Sequence, residues 1–227
     1  MGEESYKAGQ QLEDTPTFII DPIDGTLNFV SGFPNFAISL AFTVDKKPVV
    51  GVVYNPVRRD LFYAVKGSGA YIRRGNGIDQ RLPASGKMKA LPGLTGAMIA
   101  IEWGNQRKGP NWKLRTRVHH ELLTHQDEDG KMCRSVRSNG SAALDMCYVA
   151  AGWFDMFWEA GCWAWDVAAG WIILEEAGGM VVSANPGDWT PSVEGRTYFA
   201  IRGAKTEEQK GVAEELWAMM GDDKFAY

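Results

Sequence analysis

Several classes of protein are excluded by what this sequence lacks. It has only three cysteines, Cys133, Cys147 and Cys162, widely spaced and odd in number, so it carries neither a disulfide framework nor a CxxC zinc site, and buried thiols are expected. The three histidines, His119, His120 and His125, lack the HxxxH or HExxH spacing of zinc ligands and read as surface residues on or near a polar helix. No GxSxG elbow and no Cys-x5-Arg loop stands near the acidic residues discussed below, which disfavours serine or cysteine nucleophile chemistry. Long apolar runs are missing, since no stretch of about eighteen uncharged apolar residues occurs. The start, Met1-Gly2-Glu3-Glu4-Ser5, lacks the basic-then-apolar pattern of a secretory signal. The expectation is a soluble, cytoplasmic protein without a membrane partner. Excess positive charge is missing as well. Lys and Arg total 24 against 28 for Asp and Glu, a formal charge of -4, so no nucleic-acid partner is expected, and the basic stretch Arg107 to Arg117 reads as a solvated loop and helix face. Repeats and low-complexity tracts do not occur.

What is present is the material of a compact core. Of 227 residues, 45% are hydrophobic and 23% charged, enough for one large domain or two lobes. Nine tryptophans are many for this length; most belong in a core, with Trp163 or Trp165 placed to line a pocket. Thr17-Phe18-Ile19-Ile20 predicts a short buried strand that ends at two aspartates. Runs at Phe36 to Val44, Pro48 to Asn55 and Asp60 to Val65, separated by polar turns, predict an antiparallel meander. Gly67-Ser68-Gly69 lacks a third glycine and a following helix, so it predicts a tight hairpin and not a dinucleotide loop. Beyond it, Thr95 to Trp103 and Phe154 to Trp158 read as strands. Trp112 to Thr124, Ala142 to Ala151 and Val167 to Ala177 read as helices, the second capped by Ser138, Asn139 or Ser141 and the third ending at Gly178-Gly179. Met180 to Val182 and Tyr198 to Ile201 predict further strands, and Thr206 with Gln209 a capping box for the last helix. Strand runs early and alternation late predict an α+β lobe over 1–93 with the antiparallel sheet and the first acidic motif. An α/β lobe over 94–227 follows, carrying a second acidic motif, the two forming one catalytic unit.

The chemistry concentrates at Asp21-Pro22-Ile23-Asp24-Gly25-Thr26. Two aspartates three apart, fixed by a proline, can turn both carboxylates and the Ile23 carbonyl toward one point, which suits a hard cation such as Mg2+. Gly25 and Thr26 then offer backbone N–H groups to a phosphate. An ordinary Pro-Asp-Gly turn fits the same six residues.

Wider context adds a resemblance. Gly2-Glu3-Glu4-Ser5 followed by Phe18 to Phe29 resembles the first signature of the inositol monophosphatase family. Trp165-Asp166-Val167-Ala168-Ala169-Gly170, leading to Glu176-Ala177-Gly178-Gly179, resembles the second, in the family's order. Gly51 to Pro56 and Gly67 to Ala70 are similar too, so the resemblance covers nearly the whole chain. The segment Trp158 to Asp166 looks most like fungal members, which include homologues linked to quinate utilisation. The resemblance implies a layered α-β-α-β-α sandwich of the inositol monophosphatase and sugar phosphatase type, two or three Mg2+ ions, and homodimers.

It also implies roles. Glu3, Asp21, the Ile23 carbonyl, Asp24 and Asp166 are metal ligands; Gly25 and Thr26 hold the phosphate; and Gly140, Ser141, Ala142, Glu159 and Asp166 contact a ring polyol. Glu3, Asp24 and Thr26 carry the catalytic step, in-line attack by a metal-activated water on inositol monophosphate. Each residue has a structural alternative: a solvated charge for Glu3, an N-cap of the Val167 helix for Asp166, a salt bridge for Glu159, a cap for the Gly140 turn. One departure is expected. Family members carry a helical segment ahead of Gly2-Glu3-Glu4 with an aspartate that pairs with the threonine matching Thr26, and here the sequence begins at Met1, shortened at the N-terminus. Alternatives to the inositol phosphatase are a catalytically impaired homologue that binds metal or a phospho-ligand in a regulatory role, or a phosphatase for another sugar phosphate or a bisphosphorylated nucleoside.

Overall fold

Short apolar runs separated by tight polar turns can only pair with their neighbours, and in the computed structural model, which describes residues 1–227, the first of them do so. The strands β1 (Thr17–Asp24), β2 (Ala37–Val44), β3 (Lys47–Asn55), β4 (Asp60–Val65), β5 (Ala70–Arg74) and β6 (Gln80–Arg81) lie side by side in sequence order as an antiparallel sheet. One short helix, α1 (Thr26–Val30), interrupts the meander after β1. The Gly67-Ser68-Gly69 turn is indeed a hairpin between β4 and β5, and its two glycine amides donate to the Glu176 carboxylate at 2.7 Å each.

A second, five-stranded sheet has the order β10 (Met180–Val182), β11 (Thr197–Ile201), β9 (Met156–Ala160), β7 (Met98–Ile101), β8 (Ser135–Arg137). β7 runs parallel to both β8 and β9, and the others pair antiparallel. The helices α2 (Pro110–Leu123) and α5 (Thr206–Met220) pack on one face of this sheet, through Leu114, Val118, Leu122, Val212 and Leu216. Between the two sheets lie α3 (Ala142–Ala150) and α4 (Ala164–Glu176), which are apolar nearly all round because they touch a sheet on either side. The layers therefore run β-α-β-α. On the outer face of the first sheet Phe18, Ile20, Ile38 and Leu40 are exposed. No helix is long and apolar enough to cross a membrane.

Several boundaries differ from the sequence expectation, each for a local reason. β1 does not end at Ile20 but continues through both aspartates to Asp24. The strand expected at Thr95 to Trp103 shrinks to Met98–Ile101. The one expected at Phe154 to Trp158 shifts to Met156–Ala160, because the Trp153 and Phe154 amides instead donate to the Tyr148 carbonyl as the end of α3 unwinds. α4 starts three residues early, at Ala164, so Asp166 is not its N-cap. At the last helix the capping contact is the Lys205 amide on the Glu208 carboxylate, at 3.3 Å. Gln209 is buried, with its amide nitrogen on the Gly178 and Arg202 carbonyls at 3.1 and 2.9 Å, so the Thr206 and Gln209 box does not form.

Close approach of α4 to the first sheet depends on glycine. A Cβ on Gly51 of β3 would meet the Ala169 carbonyl oxygen at 2.4 Å and the Ile172 side chain at 2.5 Å. Gly51→Ala should therefore push α4 off the sheet and destabilise the protein by about 1–3 kcal/mol, the usual range for overpacking; urea denaturation measures it, and an unchanged midpoint would contradict this packing.

Candidate active site

Strand periodicity puts residues three apart on opposite faces, so a regular strand could not aim both Asp21 and Asp24 at one point. A bulge solves this. Asp21 pairs with Ser39 and Asp24 with Ala37, three steps on β1 against two on β2, and Pro22, which has no N–H to give to the ladder, lies within the irregular stretch. Both carboxylates consequently face the buried helix layer. Gly25, at φ 88°, then turns the chain away, and a Cβ there would strike the Gly140 carbonyl oxygen at 2.8 Å.

The third carboxylate arrives on α4. Asp166 is its third residue, and its Oδ2 accepts the Trp163 amide at 2.7 Å, tying down the helix start from inside. The Ser39 hydroxyl donates to the Trp165 carbonyl at 2.9 Å and locks the helix start to the strand partner of Asp21. As a result, oxygens of Asp21, Asp24 and Asp166 all lie within 4.8 Å of one another.

Fixed donors hold two of these side chains. Asp21 Oδ1 accepts the Ile23 amide at 2.9 Å. Asp24 Oδ2 accepts the Ser141 hydroxyl and the Ala143 amide, the latter at 3.0 Å from the first turn of α3. Ser141 is also the N-cap of α3, its oxygen accepting from Leu144 N at 3.3 Å, so capping and ligand positioning are one contact. The Gly140 turn is clamped in place: Asn28 Nδ2 donates to the Asn35 and Asn139 carbonyls at 2.7 Å each, and the Gly140 amide donates to Glu102 at 2.9 Å.

Electrostatically the trio is frustrated. Burial, followed by the charges of Asp24, Asp166 and Glu3, pushes Asp21 up to about 9. Burial and then Asp166 raise Asp24 to about 8, against the opposing hydrogen bond from Ser141, and Asp166 is raised mainly by burial. Three crowded carboxylates with all-oxygen donors fit a hard divalent cation, whose charge removes the repulsion that otherwise forces protons onto them.

Glu3 is exposed and stands outside the close trio, yet it is near enough to raise Asp21 and Asp166. It is carried there by parallel pairing of the first residues with β1, through Ile20 N to the Met1 carbonyl at 3.0 Å. The Thr26 hydroxyl donates to the Ile23 carbonyl at 3.2 Å. Beside the trio a cavity of about 510 Å³ is lined by Glu102, Gly140, Ser141, Ala142, Glu159 and Asp166 among others.

Of the two readings of Glu159, the structure shows the salt bridge. Its Oε1 accepts from Arg115 Nη2 at 2.9 Å in a fully buried ion pair, while its Oε2, equally buried, has no partner and belongs to a residue lining the cavity. Burial pushes this carboxyl up and the guanidinium opposes it. Arg115 corrects the solvated-face reading of Arg107 to Arg117, because it is wholly buried. No sequence signal marked Arg115, Glu102, Arg196 or Tyr227; their partners lie dozens of residues away. His119 is half-buried against Trp103, with ring centroids 4.8 Å apart, and Cys133, Cys147 and Cys162 are free thiols.

Two sheets and two helix pairs are stacked, with three carboxylates that could hold a metal ion gathered where the first sheet meets the central helices. Residues 1–220 match the inositol monophosphatase family. Over 222 residues the chain is 44% identical to inositol monophosphatase 2 of Saccharomyces cerevisiae, covering 96% of this chain and 72% of that protein. It is 40% identical to quinic acid degradation cluster protein x of Neurospora crassa, covering 96% and 71%. Among solved structures, Mycobacterium tuberculosis SuhB superposes with a TM-score of 0.72 at 29% identity, over 97% of this chain and 74% of that one. The chain belongs to the inositol monophosphatase family.

The raised carboxyls give a signed prediction. In metal-free protein the folded trio holds protons more tightly than the unfolded chain, so that contribution to stability is complete below the ordinary aspartate value of 3.8 and is lost as pH rises toward about 9. Added Mg2+ competes with those protons, so it should raise the Tm more at about pH 8 than at about pH 5.5. Equal shifts at both, read by scanning calorimetry, would contradict a cation on this trio.

Proposed function

We propose that the protein hydrolyses the phosphate monoester of a small polyol, inositol monophosphate foremost, with two or three Mg2+ ions as cofactor. The observation that carries this is the Asp21, Asp24 and Asp166 trio, whose Asp166 lines a cavity together with the Gly140-Ser141 turn, Glu159 and further polar side chains such as Glu102 and Asn105. When bound at these carboxylates, Mg2+ supplies charge neutralisation on the phosphoryl oxygens and makes water a better nucleophile.

The chain's own residues do the positioning. Ser141 and Ala143 fix Asp24, and Trp163 fixes Asp166, so the ligand oxygens are held before substrate arrives. The Thr26 hydroxyl donates a hydrogen bond to the Ile23 carbonyl, which leaves the hydroxyl oxygen's lone pairs to accept from the attacking water beside Glu3. Gly25 and Thr26, at the turn out of β1, present backbone to the phosphate. The free Oε2 of Glu159 takes a ring hydroxyl of the leaving alcohol, with Gly140 and Ala142 against the same ring. Residues 1–93 contribute Asp21 and Asp24 and residues 94–227 contribute Asp166 and Glu159, so the two parts work as one unit. The names of the yeast relatives support the polyol; that of the Neurospora relative does not narrow it further.

Phosphate release from inositol 1-phosphate with and without Mg2+ tests this reading: turnover only with Mg2+ supports it, and none in either condition sinks it. Asp24→Asn keeps the shape but removes a ligand charge. It should lower kcat by on the order of 100-fold or more while circular dichroism stays that of the parent. Full activity in that variant would rule out the trio.

A further inference from the structure

Three residues, Gly161, Cys162 and Trp163, join β9 to α4, and they decide where Asp166 stands. Trp163 exchanges two hydrogen bonds with it. The Trp163 amide donates to Asp166 Oδ2 at 2.7 Å, and the Trp163 carbonyl accepts the Asp166 amide at 3.2 Å. A link that opens on a glycine, here Gly161 at φ 107°, has no stiffness of its own to keep that geometry. A side chain from another element holds it.

That side chain is Arg196, the residue just ahead of β11. Its Nε donates to the Cys162 carbonyl at 2.8 Å and its Nη2 to the Gly161 carbonyl at 2.7 Å. Its own carbonyl accepts the Gly161 amide at 2.7 Å, which extends the pairing of β9 with β11 by one step. The guanidinium sits 3.5 Å above the centroid of the Trp163 ring, and that ring is stacked on Trp165 at 5.2 Å and 15°. Every residue of the link therefore touches Arg196. The arginine is itself in a left-handed backbone conformation, φ 64°, which is costly for a residue with a Cβ and persists where the surroundings impose it. The buried Tyr198 hydroxyl imposes it here, accepting the Arg196 amide at 3.0 Å and donating to the Val193 carbonyl at 2.8 Å. Arg196 and Asp166 line the same cavity.

We propose that Arg196 is a positioning residue for the metal site: it fixes the link so that the Trp163 amide stays on Asp166 Oδ2 and the Asp166 carboxylate stays turned toward Asp21 and Asp24. This rests on the reading of Asp166 as a Mg2+ ligand in the function proposed above. Geometry carries the role, beyond charge. A guanidinium can give N–H bonds to two successive carbonyls while stacking on an indole, and the compact ammonium of a lysine cannot do all three.

Titration calorimetry with Mg2+ alone tests this in the parent, Arg196→Lys and Arg196→Gln, with circular dichroism to verify that each is folded. Both variants should need about tenfold or more Mg2+ for half-saturation. The Mg2+ concentration that gives half-maximal phosphate release from inositol 1-phosphate should rise by the same factor. An arginine with a merely structural role would lower the Tm of the variants and leave their Mg2+ half-saturation at the parent's value, and that result overturns the proposal. Parent-like binding in Arg196→Lys beside weakened binding in Arg196→Gln overturns it too, because charge alone would then suffice. If Arg196→Gln does not fold, Trp163→Leu removes the stacking ring and keeps the backbone amide; its half-saturation should rise by about threefold or more, and no change overturns the proposal. A parent that binds Mg2+ without hydrolysing inositol 1-phosphate sinks the substrate reading while the calorimetry still decides this inference. A parent that binds no Mg2+ overturns both.

Discussion

Three carboxylates gathered within a few ångströms, two of them buried, repel one another, and most of the architecture can be read as what is needed to hold them there. Moving one ionised carboxylate into a low-dielectric interior costs several kcal/mol even after relaxation. The protein offsets part of this with fixed donors, the Ile23, Ala143 and Trp163 amides and the Ser141 hydroxyl, each supplied by an element that other contacts already hold in place. The remaining frustration is left for a cation. A site relaxed without metal would have little reason to bind one.

That requirement reaches outward into packing. Asp21 and Asp24 converge only because β1 bulges, and the bulged strand must still pair with β2. Asp166 meets them only if the start of α4 comes close to the sheet, which the Ser39 hydrogen bond and the bare backbone of Gly51 permit. Gly25 and Gly140 approach each other for the same reason, one turn carrying Asp24 and the other Ser141. A helix wedged between two sheets has no polar face left, which is why α4 is apolar nearly throughout apart from Asp166 near its start and the glutamates at its end.

The substrate side obeys a different logic. Glu159 is kept in place by a buried guanidinium on one oxygen and left unsatisfied on the other, an arrangement that is costly unless a ligand hydroxyl completes it. Arg196 binds the Gly161 and Cys162 carbonyls between Glu159 and Asp166 and stacks on Trp163, so the two carboxylates keep their spacing. The cavity walls thus come from chain segments remote in sequence, joined through two arginines.

Much of this was legible in the amino-acid order. Alternating apolar runs and polar turns determine the meander, because adjacent strands with tight turns have no other partner. The spacing of Asp21, Pro22, Asp24 and Gly25, together with Trp165-Asp166, marks the acidic centre because local geometry fixes those side chains within a few residues. Asp166 lies inside α4 and not at the N-cap position offered as its structural alternative, because its carboxylate holds the Trp163 amide and Ser39 holds the Trp165 carbonyl, so the helix begins at Ala164. Arg115 looked solvated on a helix whose pattern is mostly polar, since its carboxylate partner lies 44 positions away. Local periodicity carries no information about such pairs. Which carboxylates meet and which arginines are buried were decided only when the sheets and helices packed.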